Sequence, residues 1–310
     1  MNARAAGLAL RFVFVGLGLG ACHRSKGPAA ESPRPDGGAT VAAWATWPMP
    51  NSTPGLPHLQ SFDTSRDQVA VDRITGLMWQ RSVAANPASF EGAKQECDRL
   101  ALAGYDDWRL PSRIELVSIL DLGRTEPAID PVVFPQTPSD WFWTSSVAAG
   151  DEQAAWYVYF YFGYPKTDLR SSLFSWRCVR TADVHPAPPA HYDTQSETVR
   201  DLGTGLLWQR SAPEGTFNFE DARTYCGQLS LAGQPGWRLP SMHELLTLID
   251  EGAASPPMID GAAFPNTPSE PFWASSEFGG EPGMAWQVYF DHGNGLYGLS
   301  SAQMRARCVR

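Results

Sequence analysis

The sequence predicts two tandem domains of the α+β class, each with two helices and a small antiparallel sheet. Three observations support this prediction. The chain from about residue 58 onward contains one unit twice, each copy alternates strand-like and helix-like hydrophobic patterns, and each copy holds one pair of cysteines at equivalent positions. Strands, two helices, a long loop and further strands are the order expected when helices pack on an antiparallel sheet.

The first residues have the features of an export signal. Arg4 supplies positive charge, and the apolar stretch 12–21 is shorter than the roughly 20 residues that span a bilayer. It ends in Leu19-Gly20-Ala21-Cys22, which resembles the lipobox of bacterial lipoproteins. We therefore expect residues 1–21 to be removed and Cys22 to be lipidated. An ordinary signal peptide followed by a chance cysteine is the alternative.

Lipidation at Cys22 would attach the chain to a membrane, because several acyl chains together give stable anchoring. His23 stands where an aspartate would mark retention in the inner membrane. The expected location is therefore the outer membrane, on its periplasmic face or at the cell surface. Residues 22–57 are rich in Pro, Gly, Ala and Ser, which is typical of a flexible tether.

The internal repeat sets the domain boundaries. Thr75–Ser82 returns as Thr204–Ser211, Trp108–Ser112 as Trp237–Ser241, and Arg177–Arg180 as Arg307–Arg310, at a spacing that slips by a single residue. Such regularity indicates tandem duplication. We predict a first domain over 58–183, a Pro-rich linker over 184–190 and a second domain over 191–310. Because each copy has the full motif set, each is expected to fold alone.

The elements of one copy can be placed in order. Strands are predicted over 69–72 and 77–79, then a helix over 89–102 capped by Ser89. Ser112 and Glu115 form the pattern of a capping box, so a second helix begins there. After a Pro-rich loop, strands are predicted over 142–145, 155–162 and 175–180. The second copy repeats the capping box with Ser241 and Glu244.

The remaining four cysteines are Cys97, Cys178, Cys226 and Cys308. In an exported chain they indicate a disulfide framework with three possible pairings. Pairing within each copy, Cys97 with Cys178 and Cys226 with Cys308, treats both copies alike. A metal or redox pair is the alternative, although the sequence contains no Cys-x-x-Cys motif and few histidines.

Charge and motif content narrow the class of function. The formal net charge of -9 disfavours nucleic acid as a partner, since such binding needs basic patches. No Ser-His-Asp order, histidine cluster or phosphate-binding loop is repeated between copies. We therefore expect no catalytic residues, no cofactor and no metal. Asp291 and Asn294 have calcium-ligand chemistry, but a Gly-rich hairpin explains them more simply.

Several motifs together carry a family resemblance. Thr-Gly-Leu-[Met/Leu]-Trp-Gln, Trp-Arg-Leu-Pro-Ser-x-x-Glu-Leu, Phe-Trp-[Thr/Ala]-Ser-Ser and Arg-Cys-Val-Arg occur in both copies, and the chain resembles the Lcl C-terminal domain family over roughly 66–180 and 195–310. The resemblance implies a C-type-lectin-like fold, related to sulfatase-modifying enzymes. It also implies binding of sulfated or other polysaccharides, as in a collagen-like bacterial adhesin. This chain lacks the collagen-like repeat and the spare thiols of those enzymes.

Residues that differ between the copies are the candidates for ligand binding, because loops on a common scaffold carry function. In the first copy Tyr157, Tyr161, Tyr164 and Lys166 crowd together, where the second has a Gly-rich hairpin. A row of tyrosines could stack sugar rings, or it could be a buried sheet face. The expected function is a pair of non-catalytic modules that bind polysaccharide or another surface ligand. The alternatives are a structural protein that packs on envelope proteins and, less favoured, an enzyme like the sulfatase-modifying relatives.

Overall fold

The computed structural model describes residues 60–83, 86–181 and 191–310. The elements of the first repeat are β1 (Phe62–Asp63), β2 (Val69–Asp72), β3 (Leu77–Gln80), α1 (Phe90–Asp98), α2 (Arg113–Ser118), β4 (Trp141–Val147), β5 (Ala154–Tyr159), β6 (Tyr164–Leu169) and β7 (Val179–Thr181). They form two antiparallel sheets, of strand order β1-β2-β3-β7 and β4-β5-β6.

The second repeat follows the same order. Its elements are β8 (Tyr192–Thr194), β9 (Thr198–Asp201), β10 (Leu207–Gln209), α3 (Phe219–Gln228), α4 (Met242–Leu246), β11 (Pro271–Glu277), β12 (Met284–Tyr289) and β13 (Gly295–Leu299). The sheets have orders β10-β9-β8 and β11-β12-β13, and Val309 forms bridges to Trp208 and Arg238 in place of a closing strand. The prediction of two repeated domains with small antiparallel sheets and few helices is therefore confirmed.

A disulfide ties the first helix of each repeat to its closing segment. Cys97 pairs with Cys178 and Cys226 with Cys308, so the predicted pairing is confirmed. The two bonded partners lie 81 and 82 residues apart in sequence. Closing loops of that length stabilises a fold by about 3–5 kcal/mol on the chain-entropy account. An apolar cluster surrounds each disulfide.

The second helix of each repeat begins with the predicted capping box. The Ser112 hydroxyl accepts from the Glu115 N–H, and the Glu115 carboxylate accepts from the Ser112 N–H. Arg109 donates to both Glu115 oxygens at 2.7 and 2.6 Å and to the Thr181 hydroxyl at 3.0 Å. The arginine thus joins the start of α2 to the closing strand β7, and Arg238 contacts its own capping glutamate in the same way.

The two repeats share their largest hydrophobic core, and both lie in one compact unit. Residues of α2 and of the inner face of β5 pack in one cluster with residues of α4 and β12. Phe162 of the first repeat lies 5.2 Å from the Tyr297 ring and 6.0 Å from the Phe278 ring of the second. This shared core revises the expectation that each repeat folds alone, because separation would expose its apolar residues to water.

A buried ion pair crosses the boundary between the repeats. Arg113, the first residue of α2, is 0% exposed and pairs with Glu251 of the second repeat. Its guanidinium also donates to the Leu246 carbonyl at 3.2 Å and lies 5.3 Å from the centre of the Trp156 ring. We call this contact region, formed by α2, α4 and the loops that follow them, the repeat interface.

Glycine is required at one point of the repeat interface. Gly293 has φ +72, and a Cβ atom there would lie 2.9 Å from both Trp156 Cη2 and Ile249 Cγ2. No L-residue adopts that backbone conformation without cost. The Gly-rich hairpin of the second copy therefore serves close packing between the repeats.

Some predicted boundaries need correction. The first helix ends at Asp98 instead of residue 102, since Ala103 has φ 54 and a turn follows. β5 ends at Tyr159 instead of residue 162, because residues 160–163 form a turn that contains Gly163 at φ 95. The closing strand β7 begins at Val179 instead of residue 175.

Several predictions fall on residues outside the described ranges. The signal peptide, Cys22, the tether up to residue 57 and the linker over 184–190 are among them. Within the described ranges, no helix is both long enough and apolar enough to cross a membrane.

Candidate functional site: an exposed aromatic platform

Three aromatic rings stack side by side on the surface of the first repeat. Trp141 lies on Tyr159 with ring centres 5.4 Å apart and ring planes 20° apart, and Tyr159 lies on Tyr161 at 5.8 Å and 22°. Trp141 is 41% exposed, and the two tyrosines are half-buried. We call these three residues the aromatic platform.

The register of the outer sheet places these rings. Trp141 pairs with Tyr159 across β4 and β5, so both side chains lie on the same face of the sheet. Further along that face Trp143 and Tyr157 are covered by the Phe174 ring, at 4.5 and 5.1 Å. The platform is therefore the exposed end of an otherwise buried aromatic face.

A hydrogen bond holds the outer ring in place. The Tyr161 hydroxyl donates to the Glu126 carboxylate, and this bond raises the pKa of Tyr161 above its ordinary value. Burial and the nearby Asp140 carboxylate raise the pKa of Tyr159 as well. The two phenols and the indole form one aromatic cluster with the Glu126 and Asp140 carboxylates at its rim. Apolar ring faces with polar edges suit the C–H faces and hydroxyl rims of sugars.

The second repeat has no such platform. Pro271 stands at the position of Trp141 and pairs with Tyr289, while Asp291 stands at the position of Tyr161. Tyr289 instead lies against His292, with ring centres 5.0 Å apart. The fold therefore does not need the platform residues, since its second copy forms the same sheet without two of them.

Comparison with known proteins agrees with this repeated architecture. The profile of the Lcl C-terminal domain matches twice, over residues 68–180 and 197–310. The chain belongs to the Lcl C-terminal domain family. A search of curated proteins gave no match.

Within these two Lcl C-terminal domains, the predicted ligand-binding residues do not form one site. Tyr157 is only 6% exposed and packs on Phe174, so its prediction as a surface residue is wrong. Tyr164 is half-buried in the shared core, next to β13 of the second domain. Tyr161 belongs to the platform, and Lys166 is exposed on β6 beside Tyr157.

Neither Trp141 nor Tyr159 was among the residues that the sequence predicted to bind a ligand. The difference between the copies could have identified the tryptophan, because Pro271 replaces it in the second domain. Tyr159 could not have been found in this way, because the second domain also has a tyrosine, Tyr289, at that position. Its exposure follows from where Phe174 stops covering the sheet.

The other candidate residues have structural partners. Trp108 and Trp237 are each 2% exposed and belong to the core. Within the described ranges, no group of three histidine, cysteine or acidic residues is placed to hold a metal ion. The Asp291 carboxylate contacts the His292 ring in the hairpin.

Proposed function

We propose that this chain is a non-catalytic carbohydrate-binding protein of the bacterial envelope, and that its first domain binds sugar rings on the aromatic platform. The observation that carries the proposal is the stack of Trp141, Tyr159 and Tyr161 on the surface. Aromatic side chains normally bury their large apolar area, and an exposed cluster of them marks a binding surface. Tyrosine and tryptophan also lose little conformational entropy when a ligand orders them.

The proposal includes the remaining architecture and the location of the protein. Each domain has a C-type-lectin-like fold, supported by the disulfide that joins the first helix to the closing segment and by the family match. Lipidation at Cys22 anchors the chain in the outer membrane, supported by the lipobox-like sequence. The tether would then hold the platform away from the lipid surface.

The test uses the second domain as the source of substitutions. The variant Trp141→Pro with Tyr161→Asp places the residues of the second domain at the equivalent positions, where the fold accepts them. Binding of the full chain to immobilised dextran, polygalacturonate and chondroitin sulfate is measured for wild type and variant. We expect at least one polysaccharide to bind and the variant to weaken that binding by about tenfold, or 1.4 kcal/mol.

A matched control separates loss of ligand contact from loss of structure. Tyr289→Ala removes the tyrosine of the second domain that corresponds to Tyr159, and it should leave polysaccharide binding unchanged. If the platform variant binds as well as wild type, or if none of the polysaccharides binds, the proposal is wrong. Strong binding of an envelope protein that the platform variant abolishes would favour the structural alternative.

A further inference from the structure

Each domain has a tight turn after its first helix, and the two turns differ in one hydrogen bond. The turns are Leu102–Tyr105 in the first domain and Leu231–Gln234 in the second. Their second residues, Ala103 and Ala232, have φ 54 and 49. In such turns the N–H of this residue takes no part in the turn's own hydrogen bonds and is open to an outside acceptor.

In the second domain the chain itself supplies that acceptor. The Ala232 N–H donates to the Glu197 carboxylate at 2.9 Å. Glu197 comes directly before β9, and its equivalent before β2 in the first domain is Gln68. No side-chain oxygen of Gln68 accepts from Ala103, whose N–H has no acceptor among the described residues. The first domain therefore keeps the donor and lacks the carboxylate.

A pocket occupies this place in the first domain. It has a volume of about 640 Å³ and is lined by Arg66, Asp67, Gln68, Ala103, Gly104 and Tyr105. Arg66 is exposed and, within the described ranges, forms no ion pair. At its position the second domain has the neutral Gln195. The first domain thus has the neighbouring charges Arg66 and Asp67 where the second has Gln195 and Ser196, and it lacks a carboxylate at the position that bonds the turn.

A second arginine fixes the wall of this pocket. The Arg180 guanidinium lies 3.8 Å from the centre of the Tyr105 ring and pairs with Asp107 at 2.7 Å. The Tyr105 hydroxyl lies 3.5 Å from Arg66 Nη1. Arg180 is neutralised by Asp107, so Arg66 remains the cation available to a ligand.

We infer that this pocket of the first domain binds the carboxylate of a uronic-acid sugar, in the position that the Glu197 carboxylate occupies in the second domain. The Ala103 N–H and Arg66 would hold the carboxylate, because bonds between charged partners are the stronger ones. Asp67 and Gln68 on the same wall offer acceptors and donors to neighbouring hydroxyls. Asp67 also disfavours a densely charged ligand such as a sulfated chain. The inference rests on the proposed carbohydrate binding and adds the class of sugar.

The experiment follows backbone amides of the full chain by NMR during titration with galacturonate, galactose and acetate. Galacturonate should shift the Ala103 and Gly104 amides saturably, whereas galactose should not. Arg66→Gln introduces the residue that the second domain has at this position. It should weaken the binding of galacturonate by about tenfold, which is the loss expected for one charge-assisted hydrogen bond. In Gln68→Glu the new carboxylate should accept a hydrogen bond from the Ala103 N–H. This should shift the Ala103 amide signal without ligand and abolish its response to galacturonate.

The second domain supplies the control. Glu197→Gln should shift the Ala232 amide and leave the galacturonate response at Ala103 unchanged. The inference fails if galacturonate causes no saturable shift, if Gln68→Glu leaves the response intact, or if acetate binds as tightly as galacturonate. A glutamate-containing peptide that bound more tightly than galacturonate would reassign the pocket to a protein partner. If the full chain binds polysaccharide but its Ala103 and Gly104 amides do not respond to galacturonate, only the proposed pocket is wrong. The platform variant tests the proposed function separately.

Discussion

Replacing the ion pair at the repeat interface tests how the two domains are joined. Arg113 and Glu251 are both buried, so removing one partner leaves a charge without compensation in a region that excludes water. Arg113 of the first repeat corresponds to Met242 in the second, and Glu251 of the second corresponds to Leu122 in the first. Met242 and Leu122 both belong to the shared core. The molecule therefore already places apolar core residues at both of the related positions.

The expected magnitudes follow from that arrangement. Glu251→Leu alone should lower the free energy of unfolding by about 3–5 kcal/mol, because the Arg113 guanidinium then keeps only the Leu246 carbonyl as a hydrogen-bond partner. Arg113→Met alone should cost a similar amount by stranding Glu251. The double variant should return to within about 1 kcal/mol of wild type, since well-packed apolar residues often replace a buried ion pair without loss.

Urea unfolding of the four proteins, followed by tryptophan fluorescence and circular dichroism, measures the coupling between the two residues. Glu220→Gln removes one partner of the exposed pair between Arg223 and Glu220 and is the control, with an expected change of about 0.5 kcal/mol or less. A small cost for Glu251→Leu, or a double variant as unstable as the sum of the two single ones, would refute the buried-pair account.

Three further predictions concern the same interface. Gly293→Ala should destabilise by about 1–3 kcal/mol more than Gly233→Ala in thermal unfolding, because both have positive φ but only Gly293 faces a packed ring; equal effects would contradict this. Burial lowers the pKa of His243, so the unfolded chain binds the proton more readily and stability should fall below about pH 6.5. His243→Gln should reduce that slope in urea titrations between neutral and mildly acidic pH. Expressed separately, 58–183 and 191–310 should bind a hydrophobic dye more strongly than the full chain, and dye binding equal to that of the full chain would show that each repeat closes its own core.

The parts of the fold that depend on local sequence were predictable. The capping boxes at Ser112 and Ser241 and the helix cap at Ser89 appear where the side-chain pattern placed them. The disulfides followed from treating two equivalent copies alike. In each case a residue and its partner are either close in sequence or repeated, so the sequence contains both halves of the contact.

The parts that depend on packing between distant segments were not predictable. The burial of Tyr157 follows from the position of Phe174 over the sheet, which no periodicity within β5 reveals. The end of β5 at Tyr159 depends on a turn closed by Gly163 at positive φ. The partnership of Arg113 with Glu251 joins segments from different repeats, so neither residue shows it alone.

Amino-acid differences between the two copies therefore have more than one cause, and the structure around each position shows which cause applies. Tyr164 differs from Asn294 at the interface, where Tyr164 packs against the shared core beside Gly295 of the second repeat. Trp141 differs from Pro271 at an exposed position of the platform. Gln68 differs from Glu197 beside a backbone donor that both domains retain. An amino-acid difference at the interface is explained by packing. Only differences at exposed positions that leave an aromatic ring or a hydrogen-bond donor without a partner indicate a ligand.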